Sequence, residues 1–373
     1  MSLIIAEIGT SHEGDEKKAF SLIDAAVDSG ADAVKFQWVY ADEILHPLTG
    51  TVNLPTGKIS LYSRFRQLEC PAEFYKKMKD YAHSKNVRFI CSPFGLRSLK
   101  ELVEIEPDAV KIASPELNHF PMLEALAECN AGRRGRGKTP FHVILSSGVS
   151  TLSDIGKAVS VVGTENVSLL HCITSYPAPE EEYNVSLVSS LKNIFGVETG
   201  LSDHSLDPVL VPVLSVMCGG TVIEKHITLS RKTKGLDDPV ALEPEQFALM
   251  VHCVHQTEAA MNRYGSVKGR ETVIKQLCES YDEKRILSVI GDGIKRLAPA
   301  EKANYGRTNR SLHYLRALKA GDRITEKDIA VLRTEKELSV GISPEFYRTV
   351  TGSVLSRDVE DGAGVRFEDF LSK

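Results

Sequence analysis

His204 and His226 close two successive short apolar runs, at 197–201 and 221–223. Neutral imidazoles on rigid strand ends suit a divalent transition metal. A pair of them leaves coordination positions for water and a substrate oxygen, which makes an open Lewis-acid site rather than a closed structural one. The same two rings would serve equally as hydrogen-bonding groups in a polar cavity. Lys111 with Ser114, and the hydroxyls of Ser92, Ser146, Ser147 and Ser202, stand at the ends of other runs. Converging donors led by a lysine are what a phosphate requires, although each serine taken singly says little. Glu7, Glu116, Glu224 and Asp237 add carboxylates able to orient hydroxyl groups or act as general acid or base. Lys35 opens a second chemistry, because a strand-end lysine in a barrel is the usual arrangement for a Schiff-base aldolase.

A common position unites these residues. The run at 4–6 ends in Glu7, 33–34 in Lys35 and Gln37, 87–90 in Ser92, and 109–110 in Lys111, Ser114 and Glu116. The run at 143–145 ends in Ser146, 167–170 in His171, 197–201 in Ser202, Asp203 and His204, and 221–223 in Glu224, Lys225 and His226. Eight runs of buried-strand length, separated by segments long enough for crossover helices, describe a parallel (β/α)8 TIM barrel. In that fold the carboxyl ends of the strands form the active site.

The intervening segments have helical spacing. Helices are expected over 17–29 with Gly30 as the stop, from Pro71 onward, and over 95–105, 120–130, 150–162, 184–194 and 207–218, with a last one from Pro244 to about Tyr264. The connection from Trp38 to Cys70 is long for a barrel loop and is placed to cover the mouth. The Gly/Arg-rich stretch at 132–138 precedes a strand. It therefore lies at the face away from the chemistry and reads as a solvated loop rather than a polyanion site.

A chain of 373 residues exceeds a minimal barrel of roughly 250, so about a hundred residues form something else. A net charge of −5 gives no reason to expect nucleic acid or an anionic membrane as partner. The seven cysteines show no CxxC pair or disulfide-framework spacing. That favours a reducing cytoplasm, and Met1 leads into strand-like residues without a signal-peptide pattern or a membrane-length apolar stretch. From about Asn309 short alternating pieces are separated by Lys319-Ala320-Gly321-Asp322 and Val359-Glu360-Asp361-Gly362, which are turn signals. The expected organisation is a barrel domain over 1–281, a polar linker over 282–308 and a small mostly-β domain over 309–373.

Glu7-Ile8-Gly9 with His12-Glu13-Gly14, Lys35-Phe36-Gln37, Ser92-Pro93-Phe94, Lys111-Ile112-Ala113-Ser114, Ser146-Ser147-Gly148, His171-Cys172 with Tyr176-Pro177, Ser202-Asp203-His204 and Glu224-Lys225-His226 resemble, in order and spacing, the N-acetylneuraminate (sialic acid) synthase family. Arg310-Ser311-Leu312, the turn at 319–324 and Gly341-Ile342 resemble that family's antifreeze-like, or SAF, domain. The resemblance implies condensation of phosphoenolpyruvate with an N-acetylated aldose such as N-acetylmannosamine, releasing phosphate and forming a nine-carbon 2-keto sugar acid. It further implies that Lys35, Gln37, Ser92, Lys111, Ser114, Ser146, Thr174 and Ser202 bind phosphoenolpyruvate. Glu7, Glu116, Tyr176, Asp237 and Arg333 would bind the sugar. His204 and His226 would hold a divalent metal, manganese first, with magnesium or cobalt as alternatives. The implied catalytic set is Glu7, Lys35, Glu224, His204 and His226. Arg333 matches an arginine that in the family reaches a partner subunit's pocket, which implies a domain-swapped homodimer.

Thr174 stands where some members have asparagine, Pro115 at a usual glycine, Ser11 at a usual asparagine and Asp238 at a frequent histidine. The phosphate and metal ends match the family pattern; the sugar end departs from it. A Schiff-base aldolase using Lys35 and a non-catalytic sugar-binding relative are the alternatives.

Overall fold

The computed structural model describes residues 1–371 apart from 55, 56 and 234. The strands are β1 Leu3–Gly9, β2 Ala33–Trp38, β3 Thr51–Leu54, β4 Gly57–Ser60, β5 Arg88–Pro93, β6 Ala109–Ile112, β7 His142–Ser146, β8 Val167–Cys172, β9 Glu198–Asp203, β10 Val222–His226, β11 Arg310–Tyr314 and β12 Ile329–Arg333. Eight of them close a parallel barrel in the order β1-β10-β9-β8-β7-β6-β5-β2, and these are the eight runs expected from the sequence. Parallel pairing requires a crossover between neighbours. Helices Glu16–Asp28, Ala72–Ser84, Leu96–Glu104, Phe120–Gly135, Leu152–Val162, Leu187–Phe195 and Leu210–Met217 supply them, each within a few residues of its expected span.

Local chemistry sets several helix ends. The Asp15 side chain accepts from the backbone N–H groups of Lys17 and Lys18. Thr151 and Asp154 form a reciprocal capping box at the start of Leu152–Val162. The Gly/Arg-rich stretch differs from the loop expected of it. The helix runs on through Gly135, exposed, with Arg133 paired to Glu106 and Arg134 to Glu165. The last barrel helix also extends beyond Tyr264, reaching Leu277 across a kink at Gly265, whose φ of 73° breaks the helical pattern.

The strands bury both faces. Between strands and helices lies the main core, and inside the barrel a separate apolar layer is made by Ile5, Ala33, Ile90, Ala109, Ile144, Leu170 and Val222. Truncating one of its large members, Ile144→Ala for example, costs about 2–5 kcal/mol. The segment at 282–308 is not strung out in solvent. Glu283–Ile290 is a helix, and Ile286, Val289 and Ala298 are buried in the barrel's main core.

The tail pairs β11 with β12 antiparallel around Leu312, Tyr314, Leu318, Ile324, Ile329, Val331, Val350, Leu355, Val359 and Val365. It sits on the carboxyl-end side of the barrel, where Leu45 bridges Arg333. The long connection after β2 lies there too: Val39, Ala41, Ile44, Leu45, Phe65 and Leu68 pack with Phe94. No helix among the described residues is long and apolar enough to cross a membrane. All seven cysteines are free thiols.

Candidate active site

Strand alternation lays out the site. Two residues beyond each member of the inner apolar layer, and so on the same face, stand Glu7, Lys35, Ser92, Lys111, Ser146, Cys172 and Glu224. Ser202 takes the equivalent place after Gly200, where a Cβ would meet the Val222 carbonyl oxygen at 2.0 Å. All of these side chains are buried. A further step outward lie Gln37, Gly148, Thr174, His204 and His226. The barrel interior is thus an apolar floor carrying two polar layers.

One network joins the centre. Lys35 Nζ lies 3.2 Å from Glu7 Oε2 and 2.9 Å from Glu224 Oε1. Gln37 donates to Glu7 Oε1 at 2.7 Å, Ser202 donates to Glu224 Oε1 at 2.8 Å, and Lys111 Nζ lies 3.6 Å from that same oxygen. Burial pushes the Glu7 carboxyl up to about 7, against the pull of Lys35. Burial acts on Glu224 in the same direction, yet Lys111 and Lys35 outweigh it and bring its carboxyl down to about 2. Burial also lowers Lys111, to about 8, although Glu224 opposes the shift. Lys35 moves the other way, because Glu224 and Glu7 overcome its desolvation and hold the ammonium charged. The Lys35 and Lys111 ammonium groups thus stand beside an ionised Glu224, while burial favours the protonated form of Glu7, so an anion entering the cavity meets two cationic partners.

Several hydroxyls around this network lack any protein partner. Ser92 Oγ, Ser146 Oγ and Thr174 Oγ1 are buried and unpaired, as are Glu116 Oε2, Glu224 Oε2 and His226 Nδ1. Buried polar atoms are almost always satisfied, so this concentration marks a cavity built for a polar ligand. Ser114 Oγ accepts from Gly148 N at 3.0 Å. Of the hydroxyls expected to bind phosphate, Ser202 donates to Glu224.

The histidine rings face one another with centroids 5.5 Å apart. His204 Nδ1 lies 2.8 Å from the Ile173 carbonyl, which can only accept, so that nitrogen carries a hydrogen and, in the neutral ring, Nε2 has the lone pair. Burial holds His226 neutral. Among the described residues no group of three or more His, Cys, Asp and Glu is arranged to hold a metal. What the chain offers is two imidazoles. Tyr176 lies over them, 4.2 Å from His204 and edge-on to His226.

At the sugar end, Asp237 Oδ2, Glu7 Oε1 and Gln37 Nε2 lie 3.5, 3.2 and 3.3 Å from the point a Cβ on Gly9 would occupy, so glycine leaves room where these groups meet. Burial raises Asp237 to about 6. Glu116 Oε1 receives Arg333 at 2.7 Å and Arg310 at 2.9 Å, leaving Oε2 free. Within this chain Arg333 reaches Glu116 of the barrel beside Arg310, which is buried and also donates to the carbonyls of Glu43 and Phe94 at 2.6 and 2.8 Å. Arg310 and Arg333 are cross-strand partners. Like charges placed so would repel, and the single Glu116 carboxylate offsets both.

The sequence of residues 22–265 matches the NeuB family model, and 309–371 matches the SAF domain. The chain belongs to the NeuB family. It is 31% identical to the spore coat polysaccharide biosynthesis protein SpsE of Bacillus subtilis, over 99% of this chain and 94% of that one. A crystal structure of SpsE superposes with a TM-score of 0.79, covering 100% of this chain and 96% of that one at 30% identity. The N,N'-diacetyllegionaminic acid synthase of Campylobacter jejuni is 30% identical over 98% of this chain and 99% of that one. An N-acetylneuraminic acid synthetase structure from Leptospira borgpetersenii, in complex with citrate, covers 74% of this chain and 90% of that chain with TM-score 0.63 and 29% identity.

The structure brings every expected site residue to the carboxyl-end side of this NeuB-family barrel. Reading the sequence missed two that support the site. Arg310 stood only inside a motif, and Glu301 lay in the supposed linker. Glu301 is buried and accepts from the Val149 and Thr174 amides at 2.7 Å each.

Proposed function

We propose that this protein is a nonulosonic acid synthase condensing phosphoenolpyruvate with an N-acetylated aldose, such as N-acetylmannosamine, to give a nine-carbon 2-keto sugar acid and phosphate. The observation that carries the reading is the buried cavity in which Lys35 and Lys111 stand among unpaired hydroxyls directly beneath His204 and His226. The named activities of the Campylobacter and Leptospira relatives support the same class.

In this reading Lys111 and the hydroxyls of Ser92, Ser114, Ser146 and Thr174 hold the phosphate, with Lys35 and Gln37 at the carboxylate end. Ser202 acts through Glu224. Glu7, with its carboxyl near 7, both gives and takes a proton close to neutrality. Glu224 stays ionised and fixes Lys35 and Ser202. Asp237, Tyr176 and the free Oε2 of Glu116 orient the sugar, and Arg333 sets Glu116. Water adds at C2 once the carbon–carbon bond has formed, and phosphate leaves from the resulting tetrahedral centre.

The imidazole pair, with His204 Nδ1 on the Ile173 carbonyl and His226 Nδ1 unpartnered, fits a divalent ion; manganese before magnesium or cobalt is the order that the family resemblance implies. When bound, such an ion supplies Lewis-acid polarisation of the sugar aldehyde. The Schiff-base alternative needs a lysine that readily loses its proton. Lys35, clamped between two carboxyl groups, is held charged instead.

A homodimer belongs to the same proposal. Two chains exchanging tails would make the Arg333–Glu116 contact between subunits that one chain closes here. Activity regained on mixing an Arg333→Ala variant with a His204→Ala variant marks the exchanged arrangement, and no regain marks the closed one. The function itself is tested by measuring phosphate release from phosphoenolpyruvate against a panel of N-acetylated aldoses, with manganese added or omitted. Release that requires one such sugar supports the assignment. Its failure with every sugar and metal sinks it.

A further inference from the structure

The turn after β7 carries Ser146 and Gly148 into the pocket in a strained conformation. Val149 has a φ of +41°, a region that β-branched residues rarely occupy. A Cβ on Gly148 would stand 2.2 Å from Thr174 Oγ1 and 2.8 Å from Ser114 Oγ, so both hydroxyls pack against bare backbone. Such a turn persists only where its surroundings impose it.

Three side chains from the segment joining barrel to tail supply the constraint. Lys295 Nζ donates to the Ser147 carbonyl at 3.1 Å, and Asn309 Nδ2 donates to the Val149 carbonyl at 2.9 Å. Glu301 Oε1 accepts from Val149 N and Thr174 N, at 2.7 Å each, while its Oε2 accepts from Ala298 N at 3.3 Å. Glu301 is 1% exposed, and its Oε1 lies 3.2 Å from the point a Cβ on Gly148 would occupy, beside the Thr174 and Ser114 hydroxyls.

We infer that Glu301 is a positioning residue for the phosphate end of the pocket, tying the β7 turn to the loop after β8 so that Ser146, Ser114 and Thr174 converge on one anion. The inference rests on the phosphate-binding reading given above. A single oxygen bonded to both amides fixes the distance between two loops that would otherwise move independently. Glu301 and Asn309 flank the entry into β11, so docking of the tail is transmitted to the phosphate site.

The test is steady-state kinetics of phosphate release by the full-length enzyme, varying phosphoenolpyruvate and sugar separately. Glu301→Ala removes the tie. Glu301→Asp keeps the charge but falls one methylene short of reaching both amides. Both variants are expected to raise KM for phosphoenolpyruvate roughly tenfold or more while leaving KM for the sugar near the wild-type value. Glu301→Gln, which retains one oxygen for the two amides, gives a smaller rise than either. Should the alanine variant fail to fold, the aspartate variant decides. A wild-type KM for phosphoenolpyruvate in Glu301→Asp, or a parallel rise in both KM values, overturns the positioning role. If the wild-type enzyme itself fails to bind phosphoenolpyruvate in a calorimetric titration, the site reading falls and this inference falls with it. Wild-type turnover with an unaffected aspartate variant removes this inference alone.

Discussion

Lys35 and Glu224 form an ion pair of 2.9 Å whose side chains are both almost completely withdrawn from solvent. With Glu7 at 3.2 Å on the other side, the ammonium is fixed between two carboxyl groups. In the proposed function it is a charge that positions rather than an amine that attacks. Treatment with pyruvate and borohydride is accordingly expected to leave the mass of the Lys35 peptide unchanged. A pyruvyl adduct there would restore the aldolase reading. Lys35→Met leaves the buried Glu224 charge with Lys111 at 3.6 Å and removes the ammonium beside Glu7, a change expected to cost up to about 3–5 kcal/mol in urea unfolding.

Lys111 gives the phosphate end a pH limit. Burial brings its amine down to about 8, so the free enzyme loses that positive charge as the pH rises through this value. KM for phosphoenolpyruvate should climb as the pH rises above about 8. In Lys111→Met it should be raised throughout, on the order of a hundredfold, and the climb should disappear. A wild-type KM that stays constant to pH 9 would remove Lys111 from the anion site.

The two tail arginines separate binding from docking. Arg333→Ala leaves Glu116 still held by Arg310, so the expected effect is a roughly tenfold higher KM for the sugar with KM for phosphoenolpyruvate unchanged. Arg310→Ala is a different lesion, because it abandons buried carbonyls of Glu43, Phe94 and Val331 as well as Glu116. It should destabilise the protein by about 3–5 kcal/mol in chemical unfolding. A purely kinetic Arg310→Ala phenotype would contradict that division.

Acid stability follows from buried histidines outside the reacting centre. Burial lowers His12 to about 4, His171 to about 3 and His313 to about 4. In the unfolded chain the same rings take up protons near 6.5. Between these limits the unfolded state binds more protons, so stability present above about 6.5 is lost as the pH falls toward 4. Urea midpoints measured from pH 7 to 4.5 should decline steadily, and His12→Asn should make that decline shallower.

The barrel and its candidate site residues were legible in the sequence for one physical reason. A strand buried on both faces reads as an apolar run, and the polar residue that ends it sits where the barrel opens. Glu7, Lys35, Lys111 and Glu224 were therefore visible as a set. Glu301 was not, because a glutamate in Pro299-Ala300-Glu301-Lys302 has the composition of a solvated connection, and nothing local shows that loops distant in sequence will surround it. The segment at 282–308 looked like a linker for the same reason. The reach of Arg333 to Glu116 within one chain depends on how the tail docks on the barrel. That orientation is set by Arg310 and by the packing around Leu45, and no periodicity encodes it.

The most direct test of the central claim is mass spectrometry of the products formed from phosphoenolpyruvate and an N-acetylated aldose, with phosphate counted in the same reaction. The account predicts one nine-carbon 2-keto acid per phosphate and no phosphate when the sugar is left out. Free pyruvate in place of the sugar acid, or phosphate released without any sugar, would contradict it.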